Sequence, residues 1–204
     1  MKTDWNKESD SEVRNRRSIR LKDYDYSQEG LYFVTMCTHG HIQLFGRVKE
    51  GVMHLSPIGL AVEEEWMRLH ERFPYIVCHE HVVMPNHFHG VIQITSDVSS
   101  ASAIRCKLQA MLSDNKSVGA GFARPNTCEI QMVGERTSPL QRKTLGQILA
   151  YFKYQTTKQA NLPERLWQRN YYEHVIRNQH SYEEIAEYIR SNPYSWESDK
   201  YHKI

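Results

Sequence analysis

Two histidines stand two residues apart in the stretch VVMPNHFHGVIQI, His87 and His89 with Phe88 between them. The residues around them alternate as a strand does, so both imidazoles project from one face and share one region of space. A neutral imidazole offers a lone pair to a divalent metal, and a pair on one strand leaves positions open for a third ligand, water or substrate oxygens. Two half-exposed surface histidines would show the same spacing, so the pair alone decides nothing. A second stretch, YEEIAEYIRSNP, reads as a helix that holds Tyr188 and Asn192 one turn apart on one face. A phenol can attack phosphorus, but its ordinary pKa of about 10 means it needs a metal, a base or electropositive surroundings to do so near neutrality. The plainer alternative is a tyrosine that anchors packing and an asparagine that ends a helix before Pro193. A third stretch, LWQRNYYEHVIRNQHSY, interleaves aromatic rings with Arg169, His174 and Arg177, and from Arg142 to Arg177 seven basic residues face two acidic ones. Basic groups beside stackable rings suit a surface for single-stranded nucleic acid. They equally suit an aromatic core with a solvated basic rim.

These groups must be positioned by a fold, and the chain is the size of one domain, 1–204, with 40% hydrophobic and 25% charged residues. That balance excludes wholesale disorder and a collagen-like or coiled-coil rod. No run of about 18 apolar residues occurs, and the opening MKTDWNKESD has no apolar signal region, which predicts a cytosolic protein. Cys37, Cys78, Cys106 and Cys128 form no CxxC pair, so reduced thiols are expected and neither a zinc ribbon nor a dithiol motif is supported. The basic run at 13–22, VRNRRSIRLK, carries no acid and suits a phosphate-contacting arm, or simply a solvated tail.

From Gly30 the segment GLYFVTMCT predicts a strand, and IQLFGRV and VMHLS around Lys49-Glu50-Gly51 predict a hairpin. Ser56 and Pro57 open a helix that runs without breakers to Pro74. Strands at Tyr75 to Val83 and His87 to Ile94 follow, joined tightly through Met84-Pro85-Asn86. Residues 95–143 break the rhythm with Ser-rich and Gly/Pro-containing stretches and are expected to be a flexible insertion, with a short helix over Ile104 to Leu112. Thr144 caps a helix with a stripe of Leu145, Ile148, Leu149 and Phe152. Leu166 to Ile176 suits a further strand, and Ser181 with Glu184 suits a capping box for a last helix that stops before Pro193. The sum is an α+β fold, a ferredoxin-like antiparallel sheet covered by helices.

Taken together, RNRRSIRLKDYDYSQEGLYFVTMCT, VVMPNHFHGVIQI, LGQILAYFKYQTTK, LWQRNYYEHVIRN and YEEIAEYIRSNP resemble the transposases associated with repetitive extragenic palindromes. These belong to the HUH (histidine, hydrophobe, histidine) superfamily and are related to the single-tyrosine transposases of small insertion sequences. The resemblance covers about Arg14 to Trp196. It implies that His87, His89 and Asn192 are metal ligands for Mg²⁺ or Mn²⁺ and that Tyr188 is the nucleophile. It also implies a metal-dependent endonuclease and strand transferase acting on single-stranded DNA near hairpins through a 5′-phosphotyrosine intermediate. No ATP is needed for such a reaction, in keeping with the lack of a GxxxxGK[ST] loop. DNA contacts are expected from Arg16, Arg17, Arg20, Arg169 and Arg177. The partner is then hairpin-forming single-stranded DNA with a short guide sequence, in a cytoplasmic, nucleoid-associated monomer or homodimer without membrane contact.

Three rivals stay open at this point. Tyr151 and Tyr154 also lie on a helix near the motifs, although neither has an amide four residues on, because positions 155 and 158 are Gln155 and Lys158. The chain could also be a domesticated protein that binds DNA hairpins without cutting them, or a metallohydrolase that uses a metal-bound water while Tyr188 is only structural.

Overall fold

The computed structural model describes residues 24–114 and 142–202. The basic run with Arg16, Arg17 and Arg20, and Cys128, lie outside the described residues. The order of elements is β1 (Gly30–Cys37), β2 (Gly46–Lys49), β3 (Val52–Leu55), α1 (Pro57–Arg72), β4 (Ile76–Met84), β5 (His87–Ile94), α2 (Val98–Asp114), α3 (Leu145–Ala160), β6 (Tyr172–Ile176) and α4 (Gln179–Ser191).

Four strands form one antiparallel sheet in the order β4-β5-β1-β6, and β2 with β3 forms a separate two-stranded ribbon. With α1 between β1 and β4, and α3 between β5 and β6, this is the ferredoxin-like arrangement. The alternation along β1 sorts two cores. Tyr32, Val34 and Met36 face α1 and α3, together with Phe88, Ile92, Trp66, Leu69 and Phe152. Phe33 points the other way and packs with Val91, Ile176 and Ile189 of α4. The sheet therefore separates α1 and α3 from α4.

Local signals explain the helix ends. Ser56 Oγ accepts a hydrogen bond from Gly59 N at 3.1 Å, with Pro57 in the first turn of α1. Thr144 and Gln147 make a reciprocal capping box on α3. On α4 the cap is Asn178 rather than Ser181, whose backbone N–H instead donates to Asn178 Oδ1 at 2.8 Å. Both are capping residue types, and the earlier one starts the helix sooner. Glu50 and Gly51 have φ of 53° and 75°, the left-handed pair that a two-residue hairpin turn requires.

Two expectations change in detail. Residues 98–114 of the expected insertion are helical, where the sequence suggested only Ile104 to Leu112. Asp97 Oδ1 accepts from Ser100 N at 2.7 Å to start this helix, Ala101 is buried, and Arg105 donates to the carbonyls of Pro74 and Ile76 at 3.1 and 2.8 Å. The stretch 166–176 is strand only from Tyr172, and earlier in it Trp167 makes a single bridge to Thr38.

Candidate active site

The two-residue alternation of β5 sends His87 and His89 to the α4 side of the sheet, while Phe88 between them goes into the other core against Trp66 at 4.7 Å. Gly90 makes that packing possible, since a β-carbon there would lie 2.7 Å from Trp66 Cζ2 and 2.8 Å from Phe88 Cε1. Both histidines are buried, with ring centroids 4.6 Å apart.

The second nitrogen of each ring is fixed from behind. Asn86, in the tight turn between β4 and β5, donates through Nδ2 to the carbonyls of His41 at 3.2 Å and Tyr201 at 2.7 Å. Its Oδ1 therefore turns to His87 Nδ1, 2.9 Å away, and can only accept, so the proton sits on Nδ1 and the lone pair on Nε2. Thr35 on β1, the cross-strand partner of His89, places Oγ1 2.8 Å from His89 Nδ1. The hydroxyl gives its own proton to Tyr201, so it accepts from His89 Nδ1 and holds the same tautomer.

Burial above all keeps both imidazoles neutral, holding His87 down to about 3 and His89 well below its ordinary value. The neighbouring His41 and Lys200 add to this at His87, as His87 and Lys200 do at His89. Lone pairs free of proton competition are what metal binding needs.

The helix α4 brings Tyr188 and Asn192 to the same point. Tyr188 Oη lies 3.2 Å from His89 Nε2, and with the proton on Nδ1 the phenol is the donor. Asn192, at the helix end before Pro193, is buried beside His87 and Tyr188 and perturbs the titration of both. Its Oδ1 and Nδ2, like His87 Nε2, nonetheless have no well-formed hydrogen bond among the described residues. Three buried polar atoms without partners at one point are the signature of a site built for a ligand. Burial, followed by the Asp199 carboxylate, raises the Tyr188 pKa above its ordinary value, and Asn192 and Lys200 pull it partly back.

Sequence reasoning missed Asp199. One oxygen of its carboxylate and one ring nitrogen from each of His87 and His89 all lie within 4.8 Å of one another. The segment reaches the site because a short 3-10 turn, Trp196–Ser198, buries Trp196 with its ring 5.9 Å from His87. A cleft lined by Tyr188, Asn192, Asp199 and Lys200 opens here. Two histidine nitrogens, a carboxylate and an amide oxygen make a donor set that fits Mg²⁺ or Mn²⁺.

Other expected residues fall elsewhere. Tyr151 and Tyr154 are on α3, on the far side of the sheet from the histidine pair, where Tyr151 Oη accepts from Gln155 at 2.8 Å and packs on Phe73. Arg169 and Arg177 are exposed and flank the two ends of β6.

No protein-family model matches the chain. An uncharacterized protein of Haemophilus influenzae is 36% identical over 191 residues, covering 92% of this chain and 93% of that protein. Among solved structures, that of a REP-associated tyrosine transposase bound to a REP hairpin superposes with a TM-score of 0.52 at 16% identity, over 89% of this chain and 76% of that one. The α+β fold is thus shared with a transposase. Among the described residues, no helix is long and apolar enough to cross a membrane.

Proposed function

We propose that this chain, which belongs to one family with the Haemophilus influenzae protein and has the fold of a REP-associated tyrosine transposase, is itself a metal-dependent single-stranded DNA endonuclease and strand transferase. The observation that carries the reading is the convergence of Tyr188 Oη, 3.2 Å from His89 Nε2, with the unpartnered His87 Nε2 and Asn192 amide and the Asp199 carboxylate.

His87 and His89 through Nε2, Asn192 through Oδ1 and Asp199 through its carboxylate are the groups that would hold Mg²⁺ or Mn²⁺. Such an ion, when bound, supplies Lewis-acid polarisation of a non-bridging phosphate oxygen. Asn86 and Thr35 keep both imidazoles in the ligating tautomer. Lys200, on the rim of the cleft, adds positive charge where a phosphate would enter. Tyr188 Oη attacks phosphorus, a Tyr–O–P bond forms, and the P–O3′ bond breaks. The 3′ oxygen leaves as a free hydroxyl, and its proton balances the one the phenol gives up. The 5′-phosphotyrosine keeps the phosphodiester energy, so attack by a second 3′-hydroxyl reverses the step on another strand without ATP. A DNA hairpin is the partner this reading favours, because the transposase of the same fold holds a REP hairpin. Arg169 and Arg177, and the Arg16, Arg17 and Arg20 of the basic run, are the proposed DNA contacts.

The test uses 5′- and 3′-labelled single-stranded hairpin oligonucleotides taken from the flanks of the gene, with Mg²⁺, Mn²⁺ or EDTA, on a denaturing gel. A metal-dependent covalent adduct that is absent in Tyr188→Phe supports the reading. Cleavage without adduct assigns the attack to water, and binding with neither assigns the chain to the non-cleaving binders.

A further inference from the structure

The rings around Tyr188 do not stop at the metal-binding groups. Phe33 of β1 stacks on His89 at 5.4 Å and meets two tyrosines nearly edge-on, Tyr188 at 6.2 Å and 83° and Tyr172 at 6.5 Å and 70°. Phe33 is buried, whereas Tyr188 and Tyr172 are 39% and 46% exposed. The register explains the row. Thr35 pairs with His89 on one side and with Tyr172 on the other, so His89, Thr35 and Tyr172 lie side by side across three strands on the same face. The helix α4 packs over β4 and β5, and beside the row the C-terminal segment sets Tyr201, hydrogen-bonded to Thr35 and close to Tyr172, with its ring 6.0 Å from that of His89.

Tyr172 packs an edge against Phe33 yet keeps 46% of its surface open, two ring contacts from the nucleophile. Two residues along β6, on the same face, stands the exposed His174, and Arg169 and Arg177 flank the strand. Neither arginine makes an ion pair among the described residues. A half-exposed aromatic ring at a sheet edge with cationic groups at both ends of its strand is the chemistry that takes a nucleobase on its ring and the adjoining phosphates on its charges.

We infer that Tyr172 is a base-stacking residue, holding one nucleobase next to the scissile phosphate while His174 continues the platform along β6. The inference rests on the reading that Tyr188 attacks a single DNA strand, and it adds a place for one base of that strand, at the β6 edge.

The probe is the same hairpin oligonucleotide carrying 2-aminopurine, or an abasic unit, at successive positions around the cleaved phosphodiester. Binding is followed in the Tyr188→Phe background, so that the strand stays intact, and adduct formation with Tyr188 present. At one position 2-aminopurine fluorescence is quenched, and Tyr172→Leu removes the quenching and weakens binding roughly tenfold or more. Tyr172→Phe keeps both. An abasic unit at that position weakens binding to Tyr172 but causes no further loss in Tyr172→Leu, the non-additivity expected of a direct contact. Unchanged thermal unfolding of the variants excludes a folding defect. Wild-type adduct formation combined with unaltered binding and quenching in Tyr172→Leu overturns the inference and leaves the catalytic reading standing. Failure of the wild type to bind or react with any of the oligonucleotides overturns both.

Discussion

Thr35→Val tests the reasoning about the metal-binding groups without touching any of them. The substitution keeps the shape of the side chain in a position that is only 3% exposed and deletes the hydroxyl 2.8 Å from His89 Nδ1. Two costs follow. If the proton stays on Nδ1, a buried donor loses its acceptor, at about 1–3 kcal/mol of folding stability. If the proton moves to Nε2, the imidazole turns its lone pair away from the cleft and Tyr188 must accept where it now donates. Either outcome weakens the ligand, and loss of such a supporting hydrogen bond typically lowers metal affinity by roughly 10–100-fold. The assay is calorimetric titration of metal-free protein with Mn²⁺, run beside urea unfolding, for the wild type, Thr35→Val and Thr35→Ser. The serine variant retains a hydroxyl and is expected to bind close to wild type. Wild-type Mn²⁺ affinity in a folded Thr35→Val protein would refute the argument that the β1–β5 hydrogen bond sets the ligating tautomer.

The remaining predictions address the nucleophile, the missed ligand, the core and pH. Tyr188→Phe abolishes the adduct but does not weaken Mn²⁺ binding, because it removes the donor that occupies the His89 lone pair; calorimetry checks this, and a large loss of affinity contradicts it. Asp199→Asn lowers Mn²⁺ affinity whereas the neighbouring Ser198→Ala does not, by the same titration. Gly90→Ala drives a methyl group into Trp66 and Phe88 and costs roughly 1–3 kcal/mol in urea unfolding. In EDTA, stability falls as pH drops below about 6.5, because the unfolded chain protonates His87 and His89 there while the fold keeps them neutral down to about 3 for His87. From pH 7 to pH 5.5 each histidine lowers the unfolding free energy by roughly 1 kcal/mol, and stability that stays flat over that window speaks against buried neutral imidazoles.

Much of this was legible in the sequence because the carriers of chemistry sit on periodic elements. The period of two in β5 put His87 and His89 on one face, and the period of 3.6 in α4 put Tyr188 above Asn192, so each pair could be read before any tertiary contact was known. What joined the two pairs was not local. The choice between Tyr188 and Tyr154 turns on which side of the sheet each helix lies, which β1 and β6 decide through long-range pairing. Asp199 follows Pro193 in a stretch without periodicity, and the burial of Trp196 on one side and the Asn86–Tyr201 contact on the other bring it to the histidines; an isolated tryptophan just after the last helix was the available signal. Asn86 and Thr35 gave none, since a turn asparagine and a strand threonine are ordinary where they stand. The helix α2 was underestimated because its serines suggested a loop, whereas Asp97 caps it and Arg105 ties it to the β4 edge.

The most direct test of the central claim is to map the covalent bond. After reaction with the hairpin oligonucleotide and Mn²⁺, nuclease trimming and tryptic digestion leave a nucleotide on a single peptide, which tandem mass spectrometry locates. The peptide that follows Arg177 and ends at Arg190 contains both Tyr182 and Tyr188, so fragment ions must distinguish them. Tyr182 Oη is engaged by the Glu80 carboxylate, and burial and that partner push it far above the ordinary phenol range, which leaves it a poor nucleophile. The account predicts the phosphoryl nucleotide on Tyr188 alone. A nucleotide on Tyr182, Tyr151 or Tyr154, or a cleaved strand with no modified tyrosine at all, would contradict it.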